Sequence, residues 1–97
     1  MKSLALLFCL IAFGVAVAGA QQDVVPDADT AVKVARAALV ARYGKANTDT
    51  EEPLVARMKD SGIWIVTGTI PQGVLGGVGE VEIARSDGRI LRLVHGQ

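Results

Sequence analysis

The sequence predicts a small α+β domain, one N-terminal helix packed across a four-stranded antiparallel sheet. Three observations predict it. Apolar residues recur at spacings of three and four from Val32 to Tyr43, inside a segment bounded by capping residues and Gly44. Four later segments, starting near Leu54, Ile63, Gly79 and Ile90, alternate in polarity or carry β-branched runs. Turn residues punctuate them, most strongly Asp60-Ser61-Gly62 and Ser86-Asp87-Gly88-Arg89.

The chain has 97 residues, room for one domain. Its first twenty read as a secretory signal peptide: Lys2, an uncharged apolar stretch from Leu4 to about Ala18, then the small-x-small pattern Ala18-Gly19-Ala20 before polar Gln21 and Gln22. Cleavage is expected after Ala20, with export to the periplasm. An uncleaved single-span anchor is the alternative for an apolar run of this length. Cys9, the one cysteine, falls inside that run, so the mature chain has no thiol for a disulfide, a nucleophile or a zinc–thiolate site. Without Lys2, nine basic residues face ten acidic ones. No basic tract stands out, so no electrostatic footprint for nucleic acid is present. After cleavage, no membrane contact is expected.

Residues 21–28 read as an extended lead-in, and 29–97 as the folded domain. Asp27, Asp29 and Thr30 are N-cap candidates for the helix, and acids there suit the positive end of its dipole. Val32, Ala35, Leu39 and Tyr43 make its apolar stripe, and Gly44 stops it. "KANTDTEEP" follows as a polar connector, with Pro53 barring helix continuation. "PLVARMKD" alternates Leu54, Ala56 and Met58 against Val55, Arg57 and Lys59, a half-buried strand. "IWIVTGTI" is apolar on both faces at its start, which predicts a central strand, or one covered on both sides by a helix, another sheet or a partner. "GEVEIAR" sets Val81 and Ile83 opposite Glu80, Glu82 and Ala84. In "ILRLVHG", Ile90 and Arg92 alternate against Leu91 and Leu93. So small a mature domain buries only about 60% of its unfolded surface, which leaves homodimerisation through a sheet edge or face open.

The segment "IPQGVLGGVGEVEI" invites a nucleotide reading. Gly73, Gly76, Gly77 and Gly79 give G-x-x-G-G-x-G, which matches neither phosphate-binding fingerprint. Both fingerprints need a strand, a glycine turn and then a helix N-terminus facing the anion, whereas strand-like sequence lies on both sides here. A wide β-connection is expected, with glycines supplying positive φ or close backbone approach. His95 is the only histidine, near a chain end, and a triad needs its base held rigidly beside a nucleophile. Glu80 and Glu82 share a strand face, which predicts a solvated surface rather than an acid–base pair. Trp64 is expected in the core, or, if partly exposed, as a binding anchor rimmed by Arg57, Arg85, Arg89 and Arg92. No catalytic residue, cofactor site or metal site is assigned.

The order "TAVKVARAALVARYG", Pro53, "WIVTGTIP", Gly76-Gly77 before an alternating strand, Asp87-Gly88 and a final "HG" is similar to the bacterial immunity proteins with a nuclear-transport-factor-2-like (NTF2-like) fold. The resemblance runs from about Ala28 to Gly96 and extends to the YbbC/YhhH group of small exported proteins. It implies a small cystatin-like or NTF2-like cone that neutralises a cognate toxin of a polymorphic toxin system by stoichiometric binding, not catalysis. Tyr43, Gly44, Trp64, Gly68, Gly76, Gly77 and Gly88 match as architectural positions, and no toxin-contact residues carry over. The surface expected to meet a partner is drawn from Trp64, Arg57, Gly76, Gly77 and His95. Helix, strands and the "DGRIL" hairpin also resemble peptidase-propeptide domains, which implies instead an envelope domain modulating a protease or another envelope protein. A small cone-fold enzyme, such as an isomerase, is the third reading, and it requires a pocket holding Glu80, Glu82 or His95.

Overall fold

The computed structural model describes residues 22–73 and 75–96. The expected signal peptide at 1–20 and its cleavage point after Ala20 lie outside the described residues. Helix α1 spans Ala28–Tyr43. Asp27 is the N-cap because its backbone is extended (φ −141°, ψ 169°) and its carboxylate accepts from the Thr30 N–H at 2.8 Å. That bond occupies one of the donors a helix start leaves free. Gly44 ends the helix at φ +93°, a conformation that favours glycine, and its N–H donates to Val40 O at 2.9 Å. The buried face is Ala31, Ala35 and Leu39, slightly rotated from the predicted stripe, so Val32 and Tyr43 are only partly buried.

The polar stretch after Gly44 is not a plain connector. Lys45–Asp49 forms a short helix, α2. Its polar groups are used internally: the Thr48 hydroxyl donates to Gly44 O at 2.9 Å, and Lys45 pairs with Asp49 at 2.6 Å. Thr48 is buried as a result. A turn at Thr50 then aims Glu51 inward.

Four strands follow: β1 (Val55–Asp60), β2 (Ile63–Thr67), β3 (Gly79–Ala84) and β4 (Ile90–His95). They form one antiparallel sheet in chain order, the predicted meander. Cross-strand rows place Ala56, Val66, Val81 and Leu93 side by side, and Met58, Trp64 and Ile83 in the next inward-facing row. These rows pack against Ala31, Ala35 and Leu39, giving one hydrophobic core between helix and sheet. The outer face carries Arg57, Ile65, Glu82 and Arg92 in one row, and Val55, Thr67, Glu80 and Val94 in the other.

The covering of β2 on both sides, expected from its sequence, has an unexpected source. Ile65 is buried on the outer face without a second layer of backbone. Lys59 on β1 reaches Glu82 on β3 at 3.2 Å, so this ion pair bridges over β2, where Ile65 sits. The lysine stem supplies apolar cover while its head stays in water. Glu82 is therefore enclosed, not solvated as its strand position suggests.

The predicted alternation in β4 fails. Glu82 pairs with Arg92 but Ile83 pairs with Ile90, so Leu91 is an extra residue. An inserted residue reverses the phase of every side chain beyond it. Ile90 thus shares the core side with Ile83, while Arg92 points outward beside Glu82. A second irregularity lies in β1 between Met58 and Asp60. Both free edges of the sheet are bulged, a feature that discourages edge-to-edge pairing.

The lead-in is docked, not merely extended. Val24 and Val25 donate to Ser86 O and Arg85 O at 3.0 Å, and Val25 is fully buried. Trp64 Nε1–H donates to Val25 O at 2.8 Å, tying the lead-in to the core.

Candidate functional site

Glu51 stands where α2 hands the chain to β1, yet it is only 5% exposed. Its main-chain carbonyl accepts from the Thr69 N–H at 2.8 Å. Its Oε1 accepts from the Gly79 N–H at 2.6 Å. Thr69 and Gly79 belong to the two stems of the β2–β3 loop, so one acidic residue holds both. Gly68 N–H also donates to Gly79 O across the stems at 3.0 Å.

The glycines at these stems make the room. A Cβ on Gly68 would come within 2.8 Å of Glu51 Oε1, and one on Gly79 within 2.7 Å of Leu39 Cδ2. Any larger residue at either place would displace the carboxylate or the core leucine. Close approach is thus what glycine provides at 68 and 79. At Gly73 and Gly76 the reason differs: both adopt positive φ, +81° and +121°, with open space where a side chain would go.

The second carboxylate oxygen meets His95. Nε2 lies 2.6 Å from Glu51 Oε2, which also accepts from Asn47 Nδ2 at 3.2 Å. His95 Nδ1 lies 3.1 Å from Gly96 O. The Glu51 carboxylate holds the imidazole above its ordinary value of 6.5, against the opposing effect of burial. In the imidazolium form both ring N–H groups donate, one to Glu51 and one to Gly96 O. The Tyr43 ring packs against the imidazole at 5.2 Å between centroids, tilted by 60°. Arg42 lies over the other partner of this stack, 5.7 Å from the Tyr43 centroid.

Chemically this cluster is a clasp. A general base needs a free nitrogen facing a substrate, and both His95 nitrogens are engaged within the fold. Both Glu51 oxygens accept hydrogen bonds as well. Among the described residues, a shallow groove of about 520 Å³ lies on the solvent side of α1, lined by Lys33, Arg36, Ala37, Val40 and Ala41. That lining contains neither an acid nor a histidine. No group of three or more His, Cys, Asp or Glu among the described residues is placed to hold a metal ion. No helix among them is long and apolar enough to cross a membrane.

The five residues expected to meet a partner are divided by the structure. His95 lies beside the loop that carries Gly76 and Gly77: it pairs with Gly79 in the sheet, and a Cβ on Gly96 would sit 3.7 Å from Gly77 Cα. Arg57 is exposed on the outer sheet face, in the row of Ile65 and Glu82. Trp64 is 8% exposed with its indole N–H spent on Val25 O, which makes it a core residue and leaves it little surface for a partner. Nor is His95 at a fraying terminus, since β4 and the Glu51 carboxylate hold it.

Glu51 carries no local signal of its role. It sits among polar neighbours in "KANTDTEEP", and nothing local marks it as buried. Only Gly68 and Gly79, which bound the loop, hint that some side chain needs space there.

On the comparison side, a family described as NTF2 fold immunity protein matches residues 30–97. No curated protein and no solved structure matches the chain.

Proposed function

Because the chain belongs to the NTF2 fold immunity protein family, which covers residues 30–97, we propose that it neutralises a cognate protein toxin by forming a stoichiometric complex. The single observation that carries binding over turnover is the self-contained clasp. Its one histidine and its one deeply buried acid next to a surface loop satisfy each other, Gly79 N–H, Asn47 and Gly96 O. That leaves neither Glu51 nor His95 an atom poised for a substrate, and it leaves the stems of the loop held for a partner. The amino-terminal pattern of residues 1–20 supports action outside the cytoplasm, in the periplasm, after cleavage at Ala20. With bulges on both sheet edges, the complex is expected to hold one copy of this chain per toxin.

Co-expression tests the reading. Cells producing the product of any adjacent toxin gene survive when the chain is exported with it, and the two purified proteins co-elute in one-to-one stoichiometry. A toxin that kills equally with and without the chain, together with no co-elution, overturns the proposal. Survival with catalytic loss of the toxin and no complex would point instead to the chain acting as an enzyme.

A further inference from the structure

We propose that the β2–β3 loop, through its described residues 68–73 and 75–79, is the element that enters the toxin, seating Leu75 and Ile70 in an apolar, uncharged cleft. This rests on the toxin-binding reading above. The first observation is exposure. Leu75 is 97% exposed and Ile70 46%. A leucine so fully in water, at the crest of a connection between two core strands, forgoes its burial in the free protein. Val55, 54% exposed, lies at the same end of the sheet, opposite Thr67 where β2 runs into the loop.

The second observation is charge. No ionisable side chain occurs between Gly68 and Gly79. The charged groups at the loop base are already matched: Glu80 with Arg92 at 2.7 Å, Glu52 with Arg36 at 2.6 Å, and Glu51 with His95. The loop therefore presents a neutral apolar tip on a neutralised base. A complementary surface is a concave apolar pocket without a fixed charge, since burying an unpaired charge against this tip would be costly. A phospholipid surface fits less well, because the loop itself carries no lysine or arginine to hold anionic headgroups.

The third observation is how the stems are held. Thr69 N–H and Gly79 N–H are fixed by Glu51, the Thr69 hydroxyl donates to Pro53 O at 2.7 Å, and Gly96 N–H donates to Val78 O at 3.0 Å. Fixing both stems in advance reduces the ordering cost of inserting the tip. Exposed apolar residues also occur at the opposite end, Val24, Ile90 and Leu91, but charged side chains lie among them there, Arg85 with Asp23 and Arg89 with Asp87, unlike the uncharged loop.

The experiment measures binding of the purified chain to the toxin that passes the co-expression test above, by titration calorimetry. Leu75→Ser and Ile70→Ser are each expected to weaken binding about tenfold or more, as truncation of a buried anchor does. Val24→Ser, at a residue 60% exposed but at the opposite end of the sheet, is expected to leave affinity unchanged. All three variants should keep the wild-type melting temperature, because these side chains contribute little to the fold. Wild-type affinity retained by Leu75→Ser and Ile70→Ser overturns the loop assignment and leaves the toxin-binding reading standing. No complex with the wild-type chain withdraws both. A Leu75→Trp variant whose fluorescence shifts to the blue on adding phosphatidylglycerol vesicles, but not on adding the toxin, overturns the cleft in favour of a lipid surface.

Discussion

The imidazole of His95 closes on the carboxylate of Glu51 at 2.6 Å, although forty-four positions separate them in the chain. That contact joins the end of the last strand to the segment that precedes the first. Through Glu51 it also reaches both stems of the β2–β3 loop. The arrangement ties the exposed loop to the core chemistry of the fold, and it can be probed residue by residue.

Glu51→Ala should destabilise the protein by about 3 kcal/mol, since it strands the buried Gly79 N–H and removes the acceptor for His95. Glu51→Gln should cost less, because its amide oxygen can still accept from Gly79. Urea melts of the three proteins check the order, with equal midpoints for wild type and Glu51→Ala counting against the clasp.

The pH dependence follows from the direction of the His95 shift. Its folded-state value is raised above 6.5, chiefly by the Glu51 carboxylate. A raised value means the folded protein binds the proton more tightly than the unfolded chain does. The contribution is therefore complete below the ordinary value and is lost as pH rises through the raised one. Relative to His95→Gln, the wild type should hold its full advantage below the ordinary value of 6.5, and that advantage should shrink as pH rises through the raised value. Denaturant melts at several pH values measure it; an advantage that grows with pH would show the imidazole is not held as its charged form.

Gly79→Ala and Gly68→Ala should each cost about 1–3 kcal/mol, because the new methyl group meets Leu39 Cδ2 at 2.7 Å or Glu51 Oε1 at 2.8 Å. Loss should show as a lowered thermal midpoint. For Gly79→Ala, combining it with Leu39→Ala should recover part of what the methyl group alone removes, while simple additivity would exclude the clash as the cause.

Trp64→Phe keeps an aromatic ring in the core but leaves Val25 O without its donor. A loss of about 1–2 kcal/mol is expected. Hydrogen exchange should accelerate selectively at the Val24 and Val25 amides, which otherwise donate to Ser86 O and Arg85 O. Unchanged protection there would mean the lead-in is held without the indole.

Much of this architecture is legible in local pattern. The helix can be read from its caps and its three–four periodicity, because those signals act between residues a few positions apart. The strands can be read from alternation and the β3–β4 turn from Asp87-Gly88, for the same reason. Where reading fails, a non-local cause is at work. The bulge at Leu91 depends on how β4 meets β3, and the enclosure of Glu82 depends on Lys59 reaching over a strand between them. Short-range polarity likewise misassigns 45–53, where hydrogen bonds within α2 consume the polar groups.

By itself, then, the sequence determined the α+β meander, the helix ends, the turn chemistry and the lack of a nucleotide fingerprint, all consequences of neighbours along the chain. Trp64 was already expected in the core, but tertiary structure alone decided that its indole holds the lead-in, that Glu51 is the centre of a clasp, and that His95 is spent on it. The physical reason is distance in sequence. A buried carboxylate is tolerable only where donors from several elements converge on it, and that convergence of Asn47, Gly79 and His95 exists only once helix, sheet and loop have come together.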